Sequence, residues 1–178
     1  MTGSALLTDS FARVQGLVSA AVDGLSPQQL THRVDPGANT IAWLVWHLAR
    51  VEDDHVAAAA EVLGRRGGAR QVWASAGFAR RFDLPFDDTA TGYGHTSAEV
   101  GEVTVDSAAL LSDYYDAVHA ATLAFVAGLS DADLDTVVDE RWDPPVTLGA
   151  RLVSVIGDTT QHAAQAAFIR GVVERSHG

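Results

Sequence analysis

Four long stretches of the chain repeat apolar residues every three to four positions, the period of a helix that buries one face. The first covers about residues 5–22 through Leu6, Phe11, Val14, Leu17, Val18 and Ala21, with Gly24 as its stop. The second follows Asn39-Thr40 and runs over about residues 41–63 to Gly64. The third begins near Ser107 and ends around Gly128, and the fourth opens after Thr147 and continues to about Glu174. Strand signals are confined to Val137-Val138 and Val146, a short extended piece before the fourth helix. Amphipathic helices of this length bury their stripes against one another. The pattern therefore predicts an all-α four-helix bundle, with residues 1–178 forming a single domain.

The connection between the second and third helices is too long for a simple turn. From Gly64 to Val103 it carries Gly67-Gly68, Pro85 and Gly92-Tyr93-Gly94, together with Trp73, Phe78, Phe82, Phe86 and Tyr93. A connection of this length inside a compact domain is usually functional, and residues 73–82 are suited to a short helix packed over the bundle. The halves of the chain echo each other. Leu25-Ser26 with Leu30 precedes the second long helix, and Leu129-Ser130 with Leu134 precedes the fourth. Ser26-Pro27 itself reads as a helix cap with proline at the first helical position.

Composition removes whole classes of chemistry. The chain contains no Cys, and all 12 basic residues are Arg. Disulfides, thiolate metal sites, a Cys nucleophile, a Schiff-base Lys and a Lys-dependent phosphate loop are thereby excluded. A formal charge of −11, with side-by-side cations only at Arg65-Arg66 and Arg80-Arg81, argues against nucleic acid as a partner. The N-terminus lacks the basic start and apolar run of a signal peptide, and no window approaches a membrane span. A cytoplasmic address is expected.

The chemistry-bearing residues concentrate on two helices. Asp158-Thr-Thr-Gln-His162 places a carboxylate and an imidazole four residues apart, one above the other on a helix face, where both can reach one metal ion. Gln165, one turn further, is placed to support them. His47 in Trp43-Leu-Val-Trp-His47-Leu48 falls roughly 90° from the centre of its helix's apolar stripe. Asp158 and His162 fall on the edge of theirs. Two stripe margins can share a groove, so His47, Asp158 and His162 form a candidate triad with a coordination position left open. A competing di-metal pattern, Glu52-Asp-Asp-His55 with Asp116-Ala-Val-His119, lacks the further carboxylates such a site needs, since the first helix offers only Asp9 and Asp23. His55 is then a core histidine or the wall of a pocket. His95 sits on the Gly-rich loop within reach of a pocket, Arg50 and Arg170 can bind a carboxylate in bidentate fashion or pair at the surface, and Glu52-Asp53-Asp54 reads as a solvated face.

The segments Asn39-Thr-Ile-Ala-Trp-Leu-Val-Trp-His47-Leu-Ala-Arg50, His162-Ala-Ala-Gln165 and Ile169-Arg170-Gly171 resemble the DinB-like metal-binding four-helix bundles. These are related to the mycothiol-dependent maleylpyruvate isomerases and the thiol S-transferases, and the resemblance spans nearly the whole chain. It implies a divalent metal, zinc or nickel, held at His47, Asp158 and His162. The fourth-helix pair in that family is commonly His and His, or Glu and His; here Asp158 is one methylene shorter. The resemblance further implies mycothiol or a similar small thiol as co-substrate, its pKa lowered by the metal so that a thiolate attacks a small electrophile. Arg50, His55 or His95 would neutralise an acidic substrate or shuttle the proton. An enzyme of this kind, a metal-dependent thiol transferase or isomerase, is the leading expectation. A non-catalytic, stress-associated bundle that binds metal or a ligand is the alternative. A homodimer is expected by the same analogy.

Overall fold

A computed structural model describes residues 2–65 and 70–176. Gly67-Gly68 and Arg66 of the Arg65-Arg66 pair lie outside the described residues. The four long helices are α1 (Gly3–Val22), α3 (Ile41–Val62), α7 (Ala108–Ala127) and α8 (Leu148–Ser176). Packing runs α1 to α8, α8 to α3, α3 to α7 and α7 back to α1, so α1 and α3 stand diagonally across the bundle. No described helix is long and apolar enough to cross a membrane.

Side-chain caps start the first two long helices: the Thr2 hydroxyl accepts from Ala5 N–H, and the Thr40 hydroxyl accepts from Trp43 N–H at 3.0 Å. The echo between the halves is real at the level of capping. Ser26 opens the one-turn α2 (Pro27–Leu30) and Ser130 opens a 3-10 turn (Asp131–Asp135), each with a reciprocal box, to Gln29 and Asp133 respectively. In α1 the buried stripe is Leu7, Phe11, Val14, Val18 and Ala21. Leu6 and Leu17, read from the sequence as part of that stripe, face outward at 55% and 39% exposure. Both sit one residue off the 7–11–14–18–21 register that contacts the neighbouring helices.

The crossover is more structured than its sequence suggests. It forms α4 (Val72–Ser75), α5 (Phe78–Phe82) and α6 (Ser97–Glu102), and it lies over the outer face of α3. Consequently every residue from 41 to 50 is buried, on a helix whose pattern showed only one apolar stripe. The acidic run is affected as well: Glu52, turned to the bundle interior, and Asp53, covered by the crossover, are buried at 0% and 5% exposure rather than solvated. Asp53 caps α4 from outside its helix, accepting Val72 N–H and Trp73 N–H at 2.8 Å each and the Tyr114 hydroxyl at 3.0 Å. Tyr114 in turn packs against Trp73 and Phe78, with ring centroids 5.2 and 4.9 Å away.

The short extended piece is a two-stranded antiparallel ladder, β1 (Val137–Asp139) with β2 (Val146–Thr147). Its turn stands over the start of α8, where Asp139 accepts from Arg151 at 2.8 Å. The apolar core divides into two clusters. One contains Val14, Ala49, Val118 and Ala163; the other contains Phe11, Val56, Phe125 and Val155. Glu52, Thr122 and Thr159 occupy the intervening positions on α3, α7 and α8, making a polar layer across mid-bundle.

Candidate metal centre

His47 on α3 meets Asp158 and His162 on α8, the helix packed alongside it. One ligand atom from each of the three lies within 4.8 Å of the others. The orientation of both imidazoles follows from their backbone bonds. His47 Nδ1 lies 2.5 Å from the Thr91 carbonyl oxygen, and His162 Nδ1 lies 2.9 Å from the Asp158 carbonyl oxygen. A carbonyl only accepts, so each Nδ1 carries the proton and each Nε2 presents a lone pair. Trp43 stacks on the His47 ring at 4.6 Å and 11°, fixing its plane, and the two imidazoles stand edge to face at 4.7 Å.

The carboxylate supplies the clearest sign of a ligand. Asp158 Oδ2 is shielded from water and has no hydrogen-bond partner; it sits 3.5 Å from His162 Nδ1. An orphaned carboxylate oxygen grouped with two imidazoles is a nitrogen–oxygen donor set that suits a zinc-like divalent ion. The electrostatics agree. Burial, opposed by the Thr91 bond, lowers the His47 pKa and so favours the neutral ring, the form that can act as a ligand. Burial opposes ionisation of Asp158, but the His162, His47 and His55 imidazoles outweigh it and hold the carboxyl below its ordinary value. The same carboxylate raises the pKa of His162.

The loop that orients His47 is itself clamped. Arg50, expected to meet an acidic substrate or the surface, is instead fully buried. Its guanidinium donates to the carbonyls of Ala90 and Asp88 and to Gln71 Oε1, and lies 5.0 Å from the Trp73 ring centre. The crossover covers this face of α3, which is why Arg50 holds the loop carrying Thr91 and does not reach solvent. Gly92 closes the arrangement, with φ +91°. A Cβ there would stand 2.8 Å from His47 Nδ1 and 2.9 Å from Trp46 Cζ3. Gly92→Ala is therefore expected to displace Thr91 from His47, costing about 1–3 kcal/mol of stability in backbone strain and about 10–100-fold in zinc affinity. Competition with a chromophoric chelator checks the second figure.

The remaining candidates divide. His55 stands on the wall of a cleft of about 530 Å³ that runs from the triad between α3, α8 and the ladder, lined also by Val51, Tyr93 and Trp142. Burial and the charge of Arg151 lower its pKa. His95 packs among aromatic rings, 4.6 Å from Phe86 and 5.8 Å from Trp46, and its Nδ1 accepts from Trp43 Nε1–H. It does not line the cleft. Arg170 caps the end of α1 through the Ala20 and Asp23 carbonyls. Gln165, expected to support the triad, is exposed and makes no hydrogen bond to it. The competing carboxylate–histidine pairs do not converge: Glu52 faces the bundle interior, Asp116 accepts from Gln15, and among the described residues the triad is the one candidate metal group. Thr91 was invisible in the sequence, because a backbone carbonyl has no residue signature; the Gly92-Tyr93-Gly94 turn beside it was the available signal.

Comparison with known proteins agrees with this architecture. A family profile described as the DinB superfamily matches residues 10–166. The crystal structure of a conserved protein from Enterococcus faecalis superposes with a TM-score of 0.86 at 28% identity, covering 97% of this chain and 98% of that one. None of the curated proteins matches the chain.

Proposed function

The chain belongs to the DinB superfamily, and on that footing we propose that it is a metal-dependent transferase or isomerase acting on a low-molecular-weight thiol, with mycothiol the expected co-substrate. The supporting observation is a donor set of three protein ligands beside an open cleft. Three ligands, unlike the four of a structural site, leave a position for an exchangeable group. A zinc or nickel ion held by His47, Asp158 and His162 would supply the positive charge that lowers the pKa of a thiol brought beside it.

The chain's own residues then have separable tasks. Thr91 fixes the His47 tautomer, and Asp158 fixes that of His162. His55 is the proton acceptor on the cleft, its ring beside Asp54 and on the wall that runs from the triad, where it takes the proton from sulfur. In transfer, the S–H bond breaks, that proton moves to His55, an S–C bond forms, and the leaving group departs with its electron pair. In isomerisation the same S–C bond forms and breaks again, returning the thiol. An S-conjugation assay with mycothiol and a generic electrophile tests this reading. His47→Ala is expected to lower the rate by at least about 100-fold, beyond the usual loss for an outer-shell partner. Undiminished activity in that variant would remove the site from the reaction. Metal uptake without thiol turnover would assign the bundle to the non-catalytic binding role.

A further inference from the structure

The ladder side of the cleft carries charge that the triad does not use. Arg151 stands on α8 seven residues before Asp158, on the same helix face and about 10 Å along the axis. Its Nη2 donates to Asp139 Oδ2 at 2.8 Å, and among the described residues its guanidinium makes no other hydrogen bond. Arg141, from the turn of the ladder, grips the same carboxylate through Nε and Nη2 at 2.9 Å each while its side chain remains 86% exposed. One carboxylate thus holds two guanidiniums in place and leaves a surplus positive charge with unengaged N–H groups. The other acids on the cleft, Asp54, which accepts from the neutral Gln71 amide, and Asp158 of the triad, keep their own charge, so the positive charge is local to the ladder side.

Two aromatic side chains flank this charge. Trp142, directly after Arg141, is 65% exposed, and Tyr93 on the facing loop is 92% exposed; both line the cleft. Two large aromatics on the wall of one cleft offer apolar surface to a ligand. Held guanidiniums next to them match a carboxylate attached to a planar or apolar body.

We propose that Arg151 and Arg141 form a carboxylate subsite, so that the cleft takes a small organic acid with its body against Trp142 and Tyr93 and its far end toward His47 and Asp158. The direction of that far end rests on the metal-dependent reading above; the carboxylate subsite does not.

The test titrates 3-phenylpropionate and its neutral amide into the full chain by calorimetry and tryptophan fluorescence, in zinc-loaded and chelator-treated protein. The acid is expected to bind at least about tenfold more tightly than the amide in both preparations, the size of one charge-assisted hydrogen bond. Arg151→Gln should bring the acid down to the amide's affinity, Arg151→Lys should keep part of the preference, and Trp142→Ala should weaken both ligands alike. The partial rescue by lysine separates anion binding from mere bracing of the ladder, and melting curves establish that each variant is folded. A preference seen only with zinc places the carboxylate on the ion and overturns the subsite, as does equal binding of acid and amide or an undiminished preference in Arg151→Gln. Zinc content is measured on the same samples, so a failure of the metal site is read separately from a failure of the arginines. Pairing acidic and neutral thiols with a neutral electrophile, and then the reverse, assigns the carboxylate to one reactant by its higher rate with wild type and the loss of that advantage in Arg151→Gln.

Discussion

Zinc in excess is expected to raise the melting temperature of this protein by roughly 5–16 °C and to leave that of His162→Ala unchanged. A ligand that binds only the folded state at 100 to 1,000 times its dissociation constant stabilises by about 2.7–4.1 kcal/mol. For a chain of this size each kcal/mol moves the midpoint by roughly 2–4 °C. The donors come together only in the fold, since His47 and Asp158 are separated by most of the chain and meet through the packing of α3 on α8. His162 is the better residue to remove. His47 is buried at 5% exposure under the Trp43 stack and satisfies the Thr91 carbonyl, so its loss would mix a packing defect with the loss of a ligand. His162 has an 18% exposed side chain, and its Nδ1 bond is to a helical carbonyl on its own helix. Differential scanning calorimetry with and without zinc reads both proteins. A zinc shift that survives in His162→Ala, or its absence from wild type with both zinc and nickel, would refute the triad as a metal centre.

The bundle was legible because helix period, caps and stops agree along most of the chain. The long helices begin and end within a few residues of the positions marked by Thr40, Gly64, Gly128 and Thr147. The triad was legible for a related reason: i, i+4 spacing fixes the geometry of Asp158 and His162 wherever α8 packs, and His47 needed only a neighbouring helix. What the sequence concealed is tertiary. The outer face of α3 carries Arg50 and Asp53, residues that look surface-paired or solvated when the helix is considered alone. Burial by the crossover turns Arg50 into a clamp for residues 88–90 and Asp53 into a cap for α4. The start of α6 was available in principle, since Thr96 and Glu99 form a capping box three residues apart. The carboxylate subsite was not, because Asp139, Arg141 and Arg151 are brought together by a two-stranded ladder whose register the short apolar pairs did not specify.

Glu52→Gln is expected to stabilise the protein at pH 8 by about 3 kcal/mol and at pH 5 by only about 1 kcal/mol. Glu52 lies in the polar layer between the two halves of the core, fully buried. Its Oε2 accepts the Tyr115 hydroxyl at 3.1 Å, while Oε1 has no partner and faces Thr122. Burial, reinforced by the neighbouring Asp53 and opposed by the Thr122 and Tyr115 hydroxyls, pushes the carboxyl up from 4.5 to about 7. In the unfolded chain the group ionises near its ordinary value, so folding takes up a proton between those two values. Below the unfolded pKa, Glu52 is neutral in both states and imposes no penalty. As pH rises through the folded pKa, the unfolded state is favoured by the full difference, about 1.4 kcal/mol for each of the roughly 2.5 pH units. Glutamine keeps the shape and can accept from Tyr115 while donating an amide N–H to Thr122, and it never ionises. The variant should therefore melt roughly 6–12 °C above wild type at pH 8, with the gap closing as pH falls below the unfolded value. Comparing the two proteins at the same pH cancels every other titrating group. An equal gap at pH 5 and pH 8 would attribute the gain to packing and contradict a buried proton on Glu52; no gap at either pH would show that the layer tolerates the charge.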